Sequence, residues 1–247
     1  MNDNLSKAAS LLKNSRYTVV FTGAGISAES GIPTFRGDSG LWSKYDPMSL
    51  ELGFFHDYPE KSWKVLKEIF FEYLVDAKPN PAHLTLAKME QMKLIKAIIT
   101  QNIDNLHQLA GNKEIYEFHG STRQMICLDC GRLVYSEQVS LEILPPRCNQ
   151  CQGILKPNLV FFNEMIPAEV SEKAFITAEK AEVLLMVGTT GEIFPAAHLP
   201  YTAKQENNAV IIEINPQKSL YTSKVTDIFL QGKAGKILPQ LLDLIVN

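Results

Sequence analysis

Phe21-Thr-Gly-Ala-Gly-Ile-Ser-Ala-Glu-Ser-Gly-Ile-Pro-Thr-Phe-Arg-Gly37 decides how the rest of the chain is read. It begins where an apolar run over 17–21 stops, and the β-branched and aromatic residues of that run predict a buried strand. Gly23 and Gly25 then permit a sharp turn and a close approach of backbone to a ligand. A helix opening over 26–30, with Ser27 near its start, would aim N–H groups and the positive end of its dipole at whatever lies over the glycines. A phosphate suits that place. The spacing Gly23-x-Gly25-x5-Gly31 is neither G-x-G-x-x-G nor G-x-x-x-x-G-K-[ST], so a plain tight connection stays open. In the loop Pro33-Thr34-Phe35-Arg36-Gly37, Phe35 reads either as a core plug or as part of a lid over a nucleotide. Arg36 reads either as a solvated charge or as the partner of a diphosphate or an acid.

The 247 residues, 45% hydrophobic and 21% charged, have the makeup of a globular chain with one large core, or one core plus a smaller module. A net charge of −3 gives no bulk attraction to nucleic acid or to an anionic membrane. The first residues lack the basic-then-apolar layout of a secretion signal, and no apolar run nears the roughly 20 residues a membrane helix needs. A cytoplasmic protein is expected, with a monomer favoured.

Helices are predicted over 5–14, 62–75, 83–91, 105–111, 168–179, 196–205 and 234–246. Strands are predicted over 95–100, 114–118, 159–162, 183–187, 210–214 and 227–230. In 62–75, Trp63, Leu66, Ile69, Phe70, Tyr73 and Leu74 share one broad face, a core or a groove wall. The alternation predicts an α/β fold: a Rossmann-like parallel sheet with helices on both faces. Within a single domain, 1–36, 82–124 and 155–247 would form the Rossmann-like lobe. The insertions 37–81 (helical) and 125–154 (cysteine-rich) would form a smaller one.

Open α/β sheets place ligand chemistry at the carboxyl ends of their strands. The glycine turn, Gln101-Asn102-Ile103-Asp104, His119, the Gly188–Gly191 turn and Asn215 all fall there, as a dinucleotide site requires. Asn102 or Asp104 equally fits as a helix N-cap. His119 fits as a satisfied strand-end histidine, or as a neutral imidazole acting as general base near pH 7.

The four cysteines, Cys127, Cys130, Cys148 and Cys151, form two C-x-x-C knuckles with seventeen residues between them. That is zinc-ribbon spacing, and four thiolates leave no coordination position for water, so one structural zinc is expected. Arg132 and Arg147 are the only basic residues in the interval, which speaks against nucleic acid.

Gly23–Gly37, Thr100–Asp104, Phe118-His-Gly120, the cysteine quartet, Lys156-Pro-Asn-Leu-Val-Phe-Phe162, Val187-Gly-Thr-Thr190 and Ile214-Asn215 together resemble the sirtuins. These are NAD-dependent protein-lysine deacylases; the resemblance is to bacterial-type members with a single catalytic domain, in the family's order over nearly the full length. It implies that NAD is consumed: the acyl-lysine carbonyl oxygen attacks C1′ of the nicotinamide ribose, and nicotinamide leaves. His119 would be the base and Asn102 would position ribose and water. Gln101 would hold the ribose hydroxyls, and Ile103 and Asp104 the nicotinamide carboxamide. Gly23, Ala24, Gly25, Ser27 and Arg36 would cradle the diphosphate, with Phe35 shielding the oxocarbenium-like centre. Gly188, Thr189 and Asn215 would hold the adenosine half, with Thr34, Thr190, Pro216 and Ala234 also among the NAD contacts. Phe35, Leu159, Val160, Phe161, Phe162, Asn163 and Glu164 would bind the acyl-lysine substrate, its backbone added as a strand between 160–163 and 191–194.

Three departures from the family pattern stand out. Asn163 replaces a glycine beside the peptide groove, and Thr190 replaces a serine. The Tyr-x-x-Arg of members that remove succinyl or malonyl groups is missing, since 62–75 contains no arginine. Burying an unpaired acyl carboxylate is costly, so neutral acyl groups are expected: acetyl and longer apolar chains. ADP-ribosyl transfer or NAD hydrolysis would use the same C1′ chemistry. A non-catalytic NAD or ADP-ribose sensor would have no need of His119 with Asn102.

Overall fold

The protein, in a computed structural model, is described over residues 2–35, 40–72, 74 and 76–247. Arg36, Gly37, Tyr73 and Val75 lie outside the described residues. Along the chain run α1 (Asn2–Asn14), β1 (Thr18–Thr22), α2 (Leu52–Asp57), α3 (Pro59–Leu66), α4 (Pro81–Gln91), β2 (Ala97–Thr100), α5 (Leu106–Ala110), β3 (Ile115–Glu117), β4 (Gly120–Cys127), β5 (Leu133–Tyr135), β6 (Leu155–Leu159), α6 (Ala168–Glu179), β7 (Val183–Val187), α7 (Leu199–Asn207), β8 (Val210–Asn215), β9 (Ile228–Gln231) and α8 (Ala234–Val246).

Six of the strands form one sheet in the order β3-β2-β1-β7-β8-β9, each neighbouring pair parallel. The chain builds outward from β1 to β3, returns to the other side of β1, and builds outward again from β7. A crevice therefore opens beyond the carboxyl ends of β1 and β7. The sheet is buried on both faces, which is why its strands read as apolar runs. One register row, Ile98–Val20–Leu185–Ile212–Ile228, packs in a single core with α1, α4 and α8. The alternate row, Val19–Leu184–Ile211, packs with Ala174 and Ala178 of α6 and Leu199 and Ala203 of α7. Burial of each such Leu or Ile contributes about 1.5–3 kcal/mol.

A third core joins the helical insertion to the cysteine-bearing segment. Phe55, Trp63, Leu66, Ile69 and Phe70 pack with Met125, Cys127, Cys148, Leu155 and Phe161. The Trp63 indole N–H donates to the Leu155 carbonyl at 2.8 Å. The helix expected over 62–75 begins earlier, at Pro59, whose missing N–H costs nothing in a first turn. Over Lys67–Glu72 it widens to π-helical turns. The wider turn brings the consecutive residues Ile69 and Phe70 both inward, 2% and 5% exposed.

Two other expectations are corrected. The strand read over 159–162 is β6, Leu155–Leu159, antiparallel to β4 in a second sheet of order β5-β4-β6. Pro157 hid it, and is tolerated because β6 is an edge strand. The helix read over 26–30 is a 3₁₀ segment, Ala24–Ser30, with Gly23 extended before it, so Ser27 sits in its middle. Among the described residues no helix is long and apolar enough to cross a membrane.

Candidate active site

The turns after β1 and β7 interlock. Gly25 N–H donates to Gly188 O at 2.9 Å and Gly23 N–H to Val187 O at 3.0 Å. A Cβ on Gly25 would stand 2.7 Å from the Gly188 Cα, and one on Gly188 (φ +64°) would stand 2.4 Å from the Ile26 nitrogen. The glycines thus serve backbone-to-backbone contact. The amides of Gly23 and Gly25 are spent on Val187 and on Gly188 just after it, and are not turned toward a ligand.

Beyond these turns lies a cleft of about 850 Å³. Gly23, Ala24, Gly25, Thr34 and Phe35 line it from the first turn, and Gln101, Asn102 and Ile103 from the end of β2. His119 follows β3, Gly188, Thr189 and Thr190 follow β7, and Asn215 and Pro216 stand at the end of β8. Leu159, Val160, Phe161, Phe162, Asn163 and Glu164 form the facing wall. Ser27 and Asp104 line a side cavity of about 30 Å³ that shares Phe35, Asn102 and Ile103 with the cleft. Ala234 lines neither: it starts α8 and is buried in the core with Ile26 and Leu238, so its side chain serves the fold. Arg36 lies outside the described residues.

His119 has its tautomer set by its neighbour. Nδ1 lies 3.2 Å from the Gln101 carbonyl oxygen, which can only accept, so Nδ1 carries the proton and Nε2 the lone pair. Burial holds the ring's pKa below its ordinary value, against the Gln101 carbonyl, which raises it. The imidazole is therefore neutral at pH 7, and its basic nitrogen has no hydrogen bond among the described residues. His119 O in turn accepts from Val160 N–H at 2.9 Å, fixing the facing wall to it.

Aromatic rings form part of the cleft wall. Phe35 lies 5.3 Å from Trp42 and 6.4 Å from Phe70, and Trp42 lies 5.8 Å from Phe162, centroid to centroid. Phe70 thus belongs to a groove wall, one of the two readings of its helical face, whereas Trp42, in a segment with no periodic pattern, was not singled out as a site residue. Asn163 has φ +64°, a left-handed conformation that asparagine tolerates better than most residues. That accounts for asparagine where the family pattern has glycine.

Under the side cavity the polar groups are tied together. The Ser27 hydroxyl donates to Asp104 Oδ2 at 2.6 Å and accepts from the Asn102 carboxamide at 3.2 Å. Burial raises the Asp104 carboxyl above its usual range, opposed by the Ser27 hydroxyl and the Leu106 N–H. Behind them His83 and His107 meet edge to face at 5.0 Å. Neither was singled out from sequence. Burial lowers His83 to about 4 and His107 to about 3. In the unfolded chain both take up protons near pH 6.5, so the folded state is penalised below that pH, increasingly down to about pH 4 and 3. The melting temperature is expected to fall as pH drops through this window. In thermal melts across pH the fall should be shallower in His107→Gln, which has no proton to gain; identical slopes would contradict it.

The four cysteine sulfurs all lie within 4.8 Å of one another, with Cys127–Cys151 at 3.4 Å and Cys130–Cys148 at 3.9 Å. Four thiolates around zinc at about 2.3 Å would stand about 3.8 Å apart, so the set fits the metal. The two knuckles repeat one geometry. The residue after the second cysteine, Gly131 or Gln152, is left-handed and returns its N–H to the first cysteine's carbonyl at 2.9 Å. Backbone N–H groups of Cys151 and Gln150 hold the Cys148 thiol down to about 7, favouring a thiolate ligand. All four positions would be sulfur, which leaves none for a substrate.

The Sir2 family model matches residues 23–195. The chain is 42% identical to the NAD-dependent protein deacylase of Pyrococcus furiosus over 97% of each chain. It superposes on a solved Sir2 homolog–NAD complex with TM-score 0.89 at 39% identity, covering 97% of this chain and 93% of the other. A Sir2 enzyme solved with a deacetylated p53 peptide and 3′-O-acetyl ADP-ribose gives TM-score 0.91 at 33% identity, over 97% of each. With a family match over most of its length and relatives this similar over nearly all of it, the chain belongs to the Sir2 family.

Proposed function

We infer that the cleft binds NAD and an acyl-lysine peptide together, and that the protein is an NAD-dependent protein deacylase in which His119 is the base. One observation carries the role of His119: its proton is held at Nδ1 by the Gln101 carbonyl, leaving Nε2 free in the cleft that Asn102 and both glycine turns also line. NAD enters as a substrate. The acyl oxygen bonds to the ribose C1′ as the bond to nicotinamide breaks, and the departing pair neutralises the pyridinium. His119 Nε2 then takes the proton of a ribose hydroxyl, whose oxygen bonds to the former acyl carbon. Addition of water and loss of the amine give free lysine and O-acyl-ADP-ribose. Ile103 and Asp104, at the side cavity, would hold the carboxamide of nicotinamide, and Phe35 would keep water from C1′. The extended peptide would lie between 160–163 and 191–194.

An acetylated peptide with NAD should release nicotinamide and O-acetyl-ADP-ribose in equal amounts. Free ADP-ribose without a peptide requirement, or labelled protein, would assign the cleft to NAD hydrolysis or ADP-ribosyl transfer.

The acyl group is inferred to be neutral. Phe35, Trp42, Leu50, Phe70, Leu159 and Phe162 offer apolar surface, and among the described lining residues the one Lys or Arg is Lys218, beside the Asn215-Pro216 end. A succinyl carboxylate buried among these rings would have no partner, a cost of several kcal/mol. On one peptide sequence, kcat/KM for acetyl is expected to exceed that for succinyl by about 10²-fold or more. Equal values would remove the inference.

A further inference from the structure

Thr22 and Thr100 are the last residues of β1 and β2, paired in register and buried. Their hydroxyls form the middle of a hydrogen-bond chain. The Thr22 hydroxyl donates to Thr100 Oγ1 at 2.8 Å, and Thr100 Oγ1 accepts the Asn102 N–H at 3.0 Å. At the other end, His107 Nε2 lies 3.0 Å from Thr22 Oγ1. Since Thr22 gives its proton to Thr100, its oxygen has only lone pairs left for the imidazole. Nε2 must therefore carry the ring proton and donate. Nδ1 then bears a lone pair, consistent with its having no hydrogen-bond partner among the described residues, in a residue 1% exposed.

The hydrogen-bond chain ends on Asn102, the residue read as positioning ribose and water. Asn102 is held at its backbone N–H by this relay and at its carboxamide by the Ser27 hydroxyl. The two constraints come from different elements: α5 and the ends of β1 and β2 supply one, the 3₁₀ segment after β1 the other. Asn102 follows the end of β2, between Gln101 and Ile103, which backbone bonds hold, and its own N–H goes to the Thr100 side chain.

We propose that His107, acting through Thr22 and Thr100, is a positioning residue for the reaction: it fixes the backbone of Asn102 so that the carboxamide faces the ribose and water. The proposal rests on the reading of Asn102 as the residue that positions them. His107 lines neither cavity, and none of the relay's side-chain bonds reaches Gly188, Thr189 or Asn215. Its loss should act on turnover and leave NAD binding largely intact.

The test compares wild type with His107→Leu, His107→Gln, Thr22→Val and the double variant His107→Leu/Thr22→Val. All are assayed with acetylated peptide and NAD below their melting temperatures. Leucine removes the donor, and kcat is expected to fall on the order of tenfold to a hundredfold while KM for NAD and peptide changes less than about threefold. Glutamine places an amide N–H where the imidazole has one, and should recover most of the loss. The double variant should be no slower than the slower single one, because both substitutions cut one chain. A kcat within about twofold of wild type in His107→Leu, a glutamine variant as slow as the leucine one, or losses that multiply in the double variant would each overturn the proposal. If His107→Leu does not fold, Thr22→Val cuts the same chain, and an unchanged kcat there overturns it equally. An inactive wild type would instead bring down the deacylase reading, and this inference with it.

Discussion

His119→Ala is expected to lower steady-state turnover of an acetylated peptide by roughly 10²–10⁴-fold, with KM for NAD changed far less. The size follows from what the side chain can do. Its Nδ1–H is fixed on the Gln101 carbonyl at 3.2 Å, burial keeps the ring neutral at pH 7, and Nε2 is the nitrogen left for proton transfer. Attack of the acyl oxygen on C1′ needs no base, whereas capture by the ribose hydroxyl does. Release of nicotinamide in the first turnover should therefore be slowed less than formation of O-acetyl-ADP-ribose, a split that quenched-flow chromatography reads directly. A variant turning over within a few-fold of wild type would take His119 out of the base role.

The same residue shows how far sequence carries the argument. Its place at the carboxyl edge followed from counting strands, because β7, α6 and α8 are long apolar or strongly periodic segments that local pattern defines to the residue. The direction of its proton did not follow, since that depends on a carbonyl eighteen residues away. β6 was illegible for a related reason. Leu-Lys-Pro-Asn-Leu looks like a loop, yet pairs with β4, and its Lys156, 3% exposed, meets Glu164 at 2.9 Å and the Leu159 carbonyl at 2.8 Å, and lies 4.3 Å over the Phe161 ring. Such compensation across a turn has no signature in periodicity. The Thr22–Thr100 pair needs the register of two strands to be known before it can be seen at all. Ala234 shows the opposite limit: likeness to a family placed it in the cofactor site, and only the structure shows that its side chain, at the start of α8, is buried in the core.

Removal of zinc is expected to cost this fold more than any single side-chain substitution outside the knuckles, and to do so without touching the chemistry first. Metal analysis should find about one zinc per chain. Cys127 and Cys148 belong to the core that also holds Trp63, Phe70, Leu159 and Phe161, so loss of the metal unties the helical insertion and the wall of the cleft together. The two cores on the faces of the parallel sheet contain no cysteine. Complete demetallation, or Cys148→Ala, should therefore lower the melting temperature by on the order of 10 °C or more. Peptide binding, proposed for the 159–164 wall, should weaken before ADP-ribose binding, proposed for the sheet edge. Among the described residues no cysteine lines the cleft, so folded protein that has just met a chelator at low temperature should keep its kcat. Unchanged melting after full demetallation would make the metal dispensable. Immediate loss of turnover in protein whose near-ultraviolet dichroism is unaltered would mean that the sulfurs act on the reaction itself, which four thiolates closed around one ion have no open position to do.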